Sequence, residues 1–173
     1  ATYKGRSVGS IGHVGAWSFC QDKIMTTGGE GGMVTTNDKV LWQRMWSYKD
    51  HGKSYEAVYL KEHPPGFRWV HESFGTNWRL TEMQSAIGRI QLGRMPEWSA
   101  RRRANAGAIA KVCESYTFLR VPKVSTDIEH AFYKFYAFVV PEALPEDWSR
   151  DRIIDELVNA GVPCMQGSCS EVY

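Results

Sequence analysis

The 173-residue chain is long enough to bury the core of one ordinary domain or of two small ones. Its composition, 43% hydrophobic and 23% charged residues with seven tryptophans, is typical of soluble globular proteins and argues against intrinsic disorder. A formal net charge of +2 is too small to indicate a nucleic-acid-binding surface. There is no signal peptide and no run of about 20 apolar residues, so we expect no membrane span. The expected location of the protein is the cytoplasm.

The chain begins with two predicted strands on either side of a polar, glycine-rich connection. Apolar residues in 13–20 and 32–36 predict these strands. Asn37 or Asp38 can then cap a helix whose apolar residues share one face. That helix is expected to end near Gly52, since glycine commonly follows the last helical residue.

The middle of the chain predicts a long loop and then a helix. Residues 53–78 are rich in aromatic rings but have no clean period, so they predict a packed loop that contacts either substrate, the protein body or a partner subunit. Thr81 and Gln84 match a capping box at the start of the following helix. Pro96 is expected to interrupt this helix and to begin another. An apolar stripe at helical spacing predicts core packing or a dimer seam: Met83, Ile87 and Ile90.

The last part of the chain predicts a compact mixture of strand and helix. Residues 131–140 are rich in Phe, Tyr and Val and are closed by Pro141, which predicts a buried strand. Ser149 can cap a helix with apolar residues on its inner face, and Gly161 is its expected stop. The alternation of strands and helices along the whole chain predicts an α/β fold.

No metal site is expected from the sequence. The four cysteines include no Cys-x-x-Cys pair, and the five histidines are scattered along the chain. Neither the cysteines nor the histidines therefore have the spacing that is typical of a zinc site.

The stretch from Ser18 to Gly32 points most directly to a chemistry. It brings together a hydroxyl, the amine of Lys23 and the turn Gly28-Gly29-Glu30-Gly31-Gly32. An ordinary lysine has a pKa of about 10.4, so its amine must be desolvated or placed near other positive charge before it reacts at neutral pH. The Ser18 hydroxyl and the N–H groups of the turn can bind a phosphate. The pattern fits an enzyme that holds a phosphorylated aldehyde cofactor as an imine on Lys23.

A structural interpretation of the same stretch stays open. Most lysines are solvated surface charges, and a glycine-rich segment can simply be a flexible turn between strands. The segment is not a Walker loop, because it lacks Gly-x-x-x-x-Gly-Lys-Ser/Thr. It is not a dinucleotide-binding fingerprint either, because it precedes a strand and not a helix.

Three motifs in order resemble the pyridoxal-phosphate-dependent sugar aminotransferases of the DegT/DnrJ/EryC1/StrS family. The first extends from Trp17-Ser18-Phe19 through Lys23 and the glycine turn to Asp38. The second is Asp50-His51-Gly52, which looks like the family's turn after a helix. The third, in residues 74–88, contains Gly-Thr-Asn-Trp-Arg-Leu-Thr-Glu-Met-Gln and is similar to the family's Gly-x-Asn-Tyr-Arg-Met-Thr-Glu-x-Gln segment. Together they cover most of residues 5–100.

The resemblance implies a fold and a domain organisation. The fold would be α/β, part of a fold-type-I transferase that depends on pyridoxal 5'-phosphate. Residues 1–95 would be the C-terminal part of the large cofactor-binding domain, and residues 96–173 part of the small C-terminal domain. The family's upstream motif, whose Asp pairs with the pyridine nitrogen, does not occur in this sequence. We therefore expect an internal piece of a longer enzyme that is inactive by itself.

The resemblance also implies roles for individual residues. Lys23 would be the Schiff-base lysine and the base that moves the substrate proton. Ser18 would bind the cofactor phosphate, and Asn77 would reach the phosphate of the cofactor held by the neighbouring subunit of a homodimer with shared active sites. His51 is expected to be a turn residue with no catalytic role.

The implied reaction transfers an amino group from an amino-acid donor, glutamate, to a nucleotide-linked keto sugar, in polysaccharide or antibiotic sugar biosynthesis. Three alternatives compete with it. A pyridoxal-phosphate-dependent sugar dehydratase of this family would carry histidine in place of Lys23. A non-catalytic regulatory relative would keep the fold without the chemistry. A phosphosugar- or nucleotide-binding module would use the glycine turn without covalent chemistry.

Overall fold

The computed structural model describes residues 1–167, which divide into two compact units. The first comprises Ala1–Pro96 with Asp127–Glu129, and the second comprises Glu97–Thr126 with the chain from His130 onward. Within the described residues, every helix is too short or too polar to span a lipid bilayer.

The domain assignment made from the sequence stays a prediction, namely that residues 1–95 and 96–173 belong to a large and a small domain. Residues 168–173, at the end of the second of these domains, lie outside the described residues.

The helices and strands follow one another in mixed order along the chain. The strands are β1 (Thr2–Tyr3), β2 (Arg6–Ser7), β3 (Gly15–Ser18), β4 (Gly32–Thr35), β5 (Leu119–Arg120), β6 (Ile128–Glu129) and β7 (Phe138–Val139). The helices are α1 (Lys39–Lys49), α2 (Tyr55–Tyr59), α3 (Glu82–Cys113) and α4 (Arg150–Asn159). The strands pair antiparallel in three small sheets, with the orders β2-β1-β6, β3-β4 and β5-β7.

The two predicted N-terminal strands are confirmed as the hairpin of β3 and β4. Trp17 lies opposite Met33, and Ser18 lies opposite Gly32 at the end of the ladder. The N–H of Phe19 donates to the carbonyl oxygen of Gly31 at 2.7 Å, one residue beyond that pair. We call the connection between the strands, residues 19–31, the lysine loop.

Helix α1 begins and ends as its sequence predicts. The Asp38 carboxylate caps it by accepting from the N–H groups of Val40 and Leu41 at 2.8 and 3.0 Å. After Lys49 the chain turns through two residues with positive φ, His51 at 58° and Gly52 at 75°. His51 is therefore a turn residue, as expected, and its N–H donates to the carbonyl oxygen of Thr76 at 2.8 Å.

Residues 53–78, which we call the aromatic loop, pack partly on the protein body. The loop contains the short helix α2, and its return segment bonds to the end of α1, where the N–H of Thr76 donates to the Tyr48 carbonyl and that of Trp78 to the Lys49 carbonyl. Edge-to-face rings join α1 to α2: Trp42, Trp46, Tyr55 and Tyr59. Other rings of the loop point into solvent, since Phe67, Trp69 and Phe74 are 80%, 86% and 98% exposed.

The helix break expected at Pro96 is wrong, because α3 is continuous through this residue. The predicted capping box is confirmed, because the Thr81 hydroxyl accepts from the N–H of Gln84 at 3.3 Å while the Gln84 oxygen accepts from the N–H of Thr81 at the same distance. The helix then continues through Pro96 to Cys113. Proline removes one N–H bond of the helical ladder, but the remaining bonds on both sides keep this long helix continuous.

The predicted apolar stripe of α3 is not core within this chain. Met83, Ile87 and Ile90 are 77%, 39% and 61% exposed. The alternative, a dimer seam, stays a prediction.

The strand predicted for residues 131–140 is wrong over most of its length. Sheet structure is confined to β7, which pairs with β5 so that Leu119 lies opposite Val139. The preceding residues are irregular because another group satisfies their carbonyls: the Arg102 guanidinium donates to Phe132 O and Tyr133 O at 3.1 and 3.3 Å.

Helix α4 confirms the predicted cap and stop, but its apolar residues Leu157 and Val158 are 37% and 50% exposed and so do not form the expected inner face within this chain. The Ser149 hydroxyl accepts from the N–H of Arg152 at 3.1 Å, which caps the first turn. Beyond Asn159 the chain reverses at Gly161, whose φ is 80°.

Gly52→Ala tests the packing of the aromatic loop on α1. A Cβ at position 52 would overlap the carbonyl oxygen of Ser73, and φ at that position is positive. We expect a loss of more than about 2 kcal/mol in the free energy of unfolding, measured by chemical denaturation. Gly107→Ala is the control. It adds a Cβ in open space within α3, so it should stabilise the protein by about 0.5–1 kcal/mol. Equal effects of the two substitutions would contradict the packing.

Candidate functional site

Cys20 connects Ser18, at the end of β3, to Lys23 in the lysine loop. Ser18 ends β3, and its hydroxyl oxygen accepts from the N–H of Cys20 at 3.4 Å. The carbonyl oxygen of Cys20 in turn accepts from the N–H of Lys23 at 3.0 Å, which closes a tight turn. A hydroxyl that accepts one hydrogen bond keeps its own hydrogen for donation. The end of β3 therefore offers a hydroxyl donor, and the loop that follows it offers the amine of Lys23.

The second half of the loop folds back on its beginning. The Phe19 carbonyl accepts from the N–H of Thr27 at 3.3 Å and from the Thr26 hydroxyl at 3.1 Å. Thr27 is 1% exposed, and a side chain at Gly31 would overlap its hydroxyl. Glycine at position 31 thus permits close packing inside the loop, around the buried Thr27.

Lys23 forms an ion pair at the surface of the chain. Its Nζ lies 2.7 Å from Asp22 Oδ1, and the two side chains are 34% and 53% exposed. The desolvation expected from the apolar strand before the loop is thus incomplete within these residues. Exposed pairs of this kind contribute about 0–1 kcal/mol, so little free energy is needed to move the amine away from Asp22.

The Cys20 thiol was missed by the sequence reasoning. It donates to Glu30 Oε1 at 3.2 Å and so connects the two arms of the loop. The backbone N–H of Asp22 lowers the pKa of this thiol. Hydrogen bonds to the Glu30 and Asp22 carboxylates, together with desolvation, raise it by more, so the pKa lies above its ordinary value.

Asn77 lies on a different segment and is held by charged neighbours. It forms a single β-bridge with Asp50, and its Oδ1 accepts from Arg79 Nε at 3.1 Å. Asp50 is 8% exposed, and its Oδ1 lies 3.4 Å from Arg79 Nε and 3.5 Å from Lys53 Nζ. The bond from Arg79 assigns which atom of the Asn77 amide is the oxygen, and Nδ2 is the donor that can bind an anion.

The residues of the loop fit the cofactor that the family resemblance implies. Pyridoxal phosphate needs an amine for its aldehyde and hydrogen-bond donors for its phosphate, and Lys23 and Ser18 offer both kinds of group on one turn. The glycine-dense second arm leaves backbone close to the turn. In residues 1–167, no cluster of three or more His, Cys, Asp or Glu is placed to hold a metal ion.

Comparison with known proteins identifies relatives over nearly the whole chain. A sequence model described as the DegT/DnrJ/EryC1/StrS aminotransferase family matches residues 1–166. GDP-perosamine synthase from Escherichia coli O157:H7 is 33% identical over 156 residues, a match that covers 90% of this chain and 39% of that protein.

The X-ray structure of an aminotransferase from Psychrobacter cryohalolentis superposes with a TM-score of 0.92 at 64% identity, over 96% of this chain and 44% of the other. GDP-4-keto-6-deoxy-D-mannose-3-dehydratase from E. coli, solved with bound hydrated PLP, has a TM-score of 0.73 over 95% of this chain and 43% of its own, and at 23% identity shows the fold alone.

These likenesses confirm the predicted fold class, the α/β fold of fold-type-I aminotransferases. The chain spans about two fifths of the length of the curated relatives it matches, 39% for the E. coli GDP-perosamine synthase and 40% for the one from Caulobacter vibrioides.

Asp50→Ala tests the charge cluster beside Asn77. The substitution leaves two cations without their shared, nearly buried carboxylate, so we expect a loss of about 1–3 kcal/mol in the free energy of unfolding. Asp147→Ala removes a carboxylate from an exposed pair with Arg152 and should cost less than about 1 kcal/mol. The cluster has no stabilising role if chemical denaturation gives the same loss for both variants.

Glu30→Gln tests the hydrogen bond across the loop. Removing the carboxylate removes a cause of the raised Cys20 pKa, so more thiolate forms at pH 8 and alkylation by iodoacetamide becomes more than about twofold faster. Cys113 is the internal control, because burial is the main cause of its raised pKa and Glu30 is not among the others. Peptide mass spectrometry measures both rates, and an unchanged Cys20 rate would contradict the Cys20–Glu30 contact.

Proposed function

Because the chain belongs to the DegT/DnrJ/EryC1/StrS aminotransferase family, we propose that it carries the reactive lysine of a pyridoxal-phosphate-dependent enzyme that aminates a nucleotide-linked keto sugar. The observation that carries the proposal is the turn at Cys20, which connects Ser18 to Lys23 through one hydrogen bond to the Ser18 hydroxyl and one from the Lys23 backbone N–H. The activity is proposed for the whole enzyme, since the relatives are more than twice as long as their match with this chain.

The residues of the loop have separate roles in this proposal. When bound, pyridoxal phosphate supplies an aldehyde and an electron-accepting ring. Lys23 Nζ would hold the cofactor through its aldehyde and would carry the proton between the substrate carbon and the cofactor carbon. The Ser18 hydroxyl donates to the phosphate. Asp22, 2.7 Å from Nζ, pairs with the ammonium form of Lys23 whenever the amine is released.

Asn77 is proposed to serve the second subunit of a homodimer. Its oxygen is held by Arg79, which leaves the Nδ2 amide as a donor suited to a phosphate. The family resemblance assigns that phosphate to the cofactor of the neighbouring subunit, so each active site would contain residues of both subunits.

The substrate class rests on the relatives. The name of GDP-perosamine synthase supports a nucleotide-linked sugar as amino acceptor. We propose an amino acid, glutamate, as the donor, and a cytoplasmic enzyme of polysaccharide or antibiotic sugar biosynthesis.

Transamination is favoured over the alternatives by Lys23 itself. The sugar dehydratases of this family carry histidine at the position of the lysine, and the dehydratase likeness concerns the fold alone. A regulatory relative or a simple phosphosugar-binding module would need no amine on the turn. The retained pair of Ser18 and Lys23 supports catalysis over both.

Lys23→Ala provides the test of the proposed chemistry. The purified full-length protein is loaded with pyridoxal phosphate, reduced with borohydride and mapped by mass spectrometry. We expect the tag on Lys23 in the unchanged protein and no tag in the variant, whose amino-transfer rate should fall by about 10²–10⁴-fold or more. Lys123→Ala, at an exposed lysine, should keep both tag and rate. A tag on another residue of the wild-type protein, or no tag at all, would contradict the proposal.

A further inference from the structure

One face of α3 lies against the second arm of the lysine loop. Gln84 Nε2 donates to the carbonyl oxygen of Glu30 at 2.6 Å. Two helical turns further on, Gln91 Oε1 accepts from the N–H of Thr26 at 2.8 Å. These bonds join residues 54 and 65 positions apart in the sequence, so they are tertiary contacts.

The two glutamines border a close apolar contact. A Cβ built on Gly28 would lie 3.1 Å from Ile87 Cδ1, and one built on Gly88 would lie 3.0 Å from Thr27 Cγ2. Positions 84, 87, 88 and 91 share one face of a helix, since they are spaced by three, four and seven residues. Their partners come in the reverse order, from Glu30 back to Thr26, so the loop runs antiparallel to the helix along this face.

Each glutamine uses a different atom of its amide. The Gln84 oxygen accepts from the N–H and the hydroxyl of Thr81 at 3.3 and 2.9 Å, so it caps the helix, while its nitrogen holds the loop. The Gln91 bond to Thr26 uses the oxygen. One substitution, Gln→Glu, therefore removes the donor needed at position 84 but keeps the acceptor needed at position 91.

We propose that Gln84 and Gln91 are positioning residues that hold the lysine loop on α3 and thereby fix the place of Lys23. This inference rests on the proposed function, in which Lys23 is the reactive amine. Neither glutamine touches the cofactor in this assignment. They act through the backbone of Glu30 and Thr26, which closes the loop back onto Phe19 and the turn of Lys23.

Three variants test the positioning role: Gln84→Glu, Gln91→Glu and Gln91→Met. The first loses the donor to Glu30 but keeps the cap on Thr81. The second keeps the acceptor for Thr26 and adds the same charge to the same helix face. The third is close in size to glutamine but cannot accept strongly. Gln91→Glu is thus the charge-matched control for Gln84→Glu and the conservative rescue of Gln91→Met.

The first readout is amide hydrogen exchange of peptides from residues 19–31 in the full-length protein without cofactor. We expect about tenfold faster exchange in Gln84→Glu and Gln91→Met, and the unchanged rate in Gln91→Glu. The second readout is the pH at which the Lys23-dependent absorbance of the loaded enzyme is half-maximal. It should move by at least about half a pH unit in the first two variants and stay in place in the third.

The outcomes separate the positioning role from the proposed function. Three results would each overturn the positioning role while the wild-type protein still carries the tag on Lys23. The first is equal behaviour of Gln91→Glu and Gln91→Met. The others are unchanged exchange in both Gln84→Glu and Gln91→Met, and faster exchange in them with an unmoved pH midpoint. If Gln84→Glu fails to fold, the comparison of Gln91→Met with Gln91→Glu decides the question. Absence of the Lys23 tag from the unchanged protein overturns the proposed function and the positioning role with it.

Discussion

The hydrogen bond from the Phe19 N–H to the Gly31 carbonyl, 2.7 Å long, fixes where the candidate site begins. It continues the antiparallel ladder of β3 and β4 by one residue and so brings the two ends of the lysine loop together. Closing a loop has an entropic cost that the bonds within it must offset. Here the Phe19 carbonyl also accepts from Thr26 and Thr27, so one residue anchors both the closure of the loop and its internal fold.

Two different kinds of interaction hold the two parts of the site. The backbone of the lysine loop is closed by neutral hydrogen bonds, by the buried Thr27 and by glycine at position 31, where a side chain would not fit, while the Cys20 bond to the Glu30 carboxylate adds a charged contact. The segment of Asn77 depends on a nearly buried carboxylate, Asp50, between two cations. Neutral hydrogen bonds are insensitive to salt, whereas partly exposed ion pairs are screened by it. Salt therefore weakens the Asp50 cluster and the Lys23–Asp22 pair more than the backbone closure of the loop.

The continuous helix α3 contributes to the site although its sequence predicted little more than a capped start. Its first turns present Gln84 and Gln91 to the loop, while Met83 and Ile90 of the same helix remain exposed. A helix with one face on the loop and apolar residues left over on another is suited to a second contact. This arrangement agrees with the shared active sites that the proposed homodimer requires.

The sequence by itself determined the parts of the fold whose bonds are local. The hairpin strands and the caps at Asp38, Thr81 and Ser149 were predictable, because each cap bond joins residues two or three positions apart. The assignment of Lys23 and Ser18 to the site rests on the same kind of local information, the types and spacing of the residues, and it stays a prediction.

Only the tertiary structure decided the remaining features. It kept α3 continuous through Pro96, gave the carbonyls of Phe132 and Tyr133 to Arg102 in place of a sheet, and aligned Gln84 and Gln91 with the lysine loop. Each of these outcomes depends on a contact between distant residues or on the summed stability of a long element. Local periodicity and capping patterns contain no information about either.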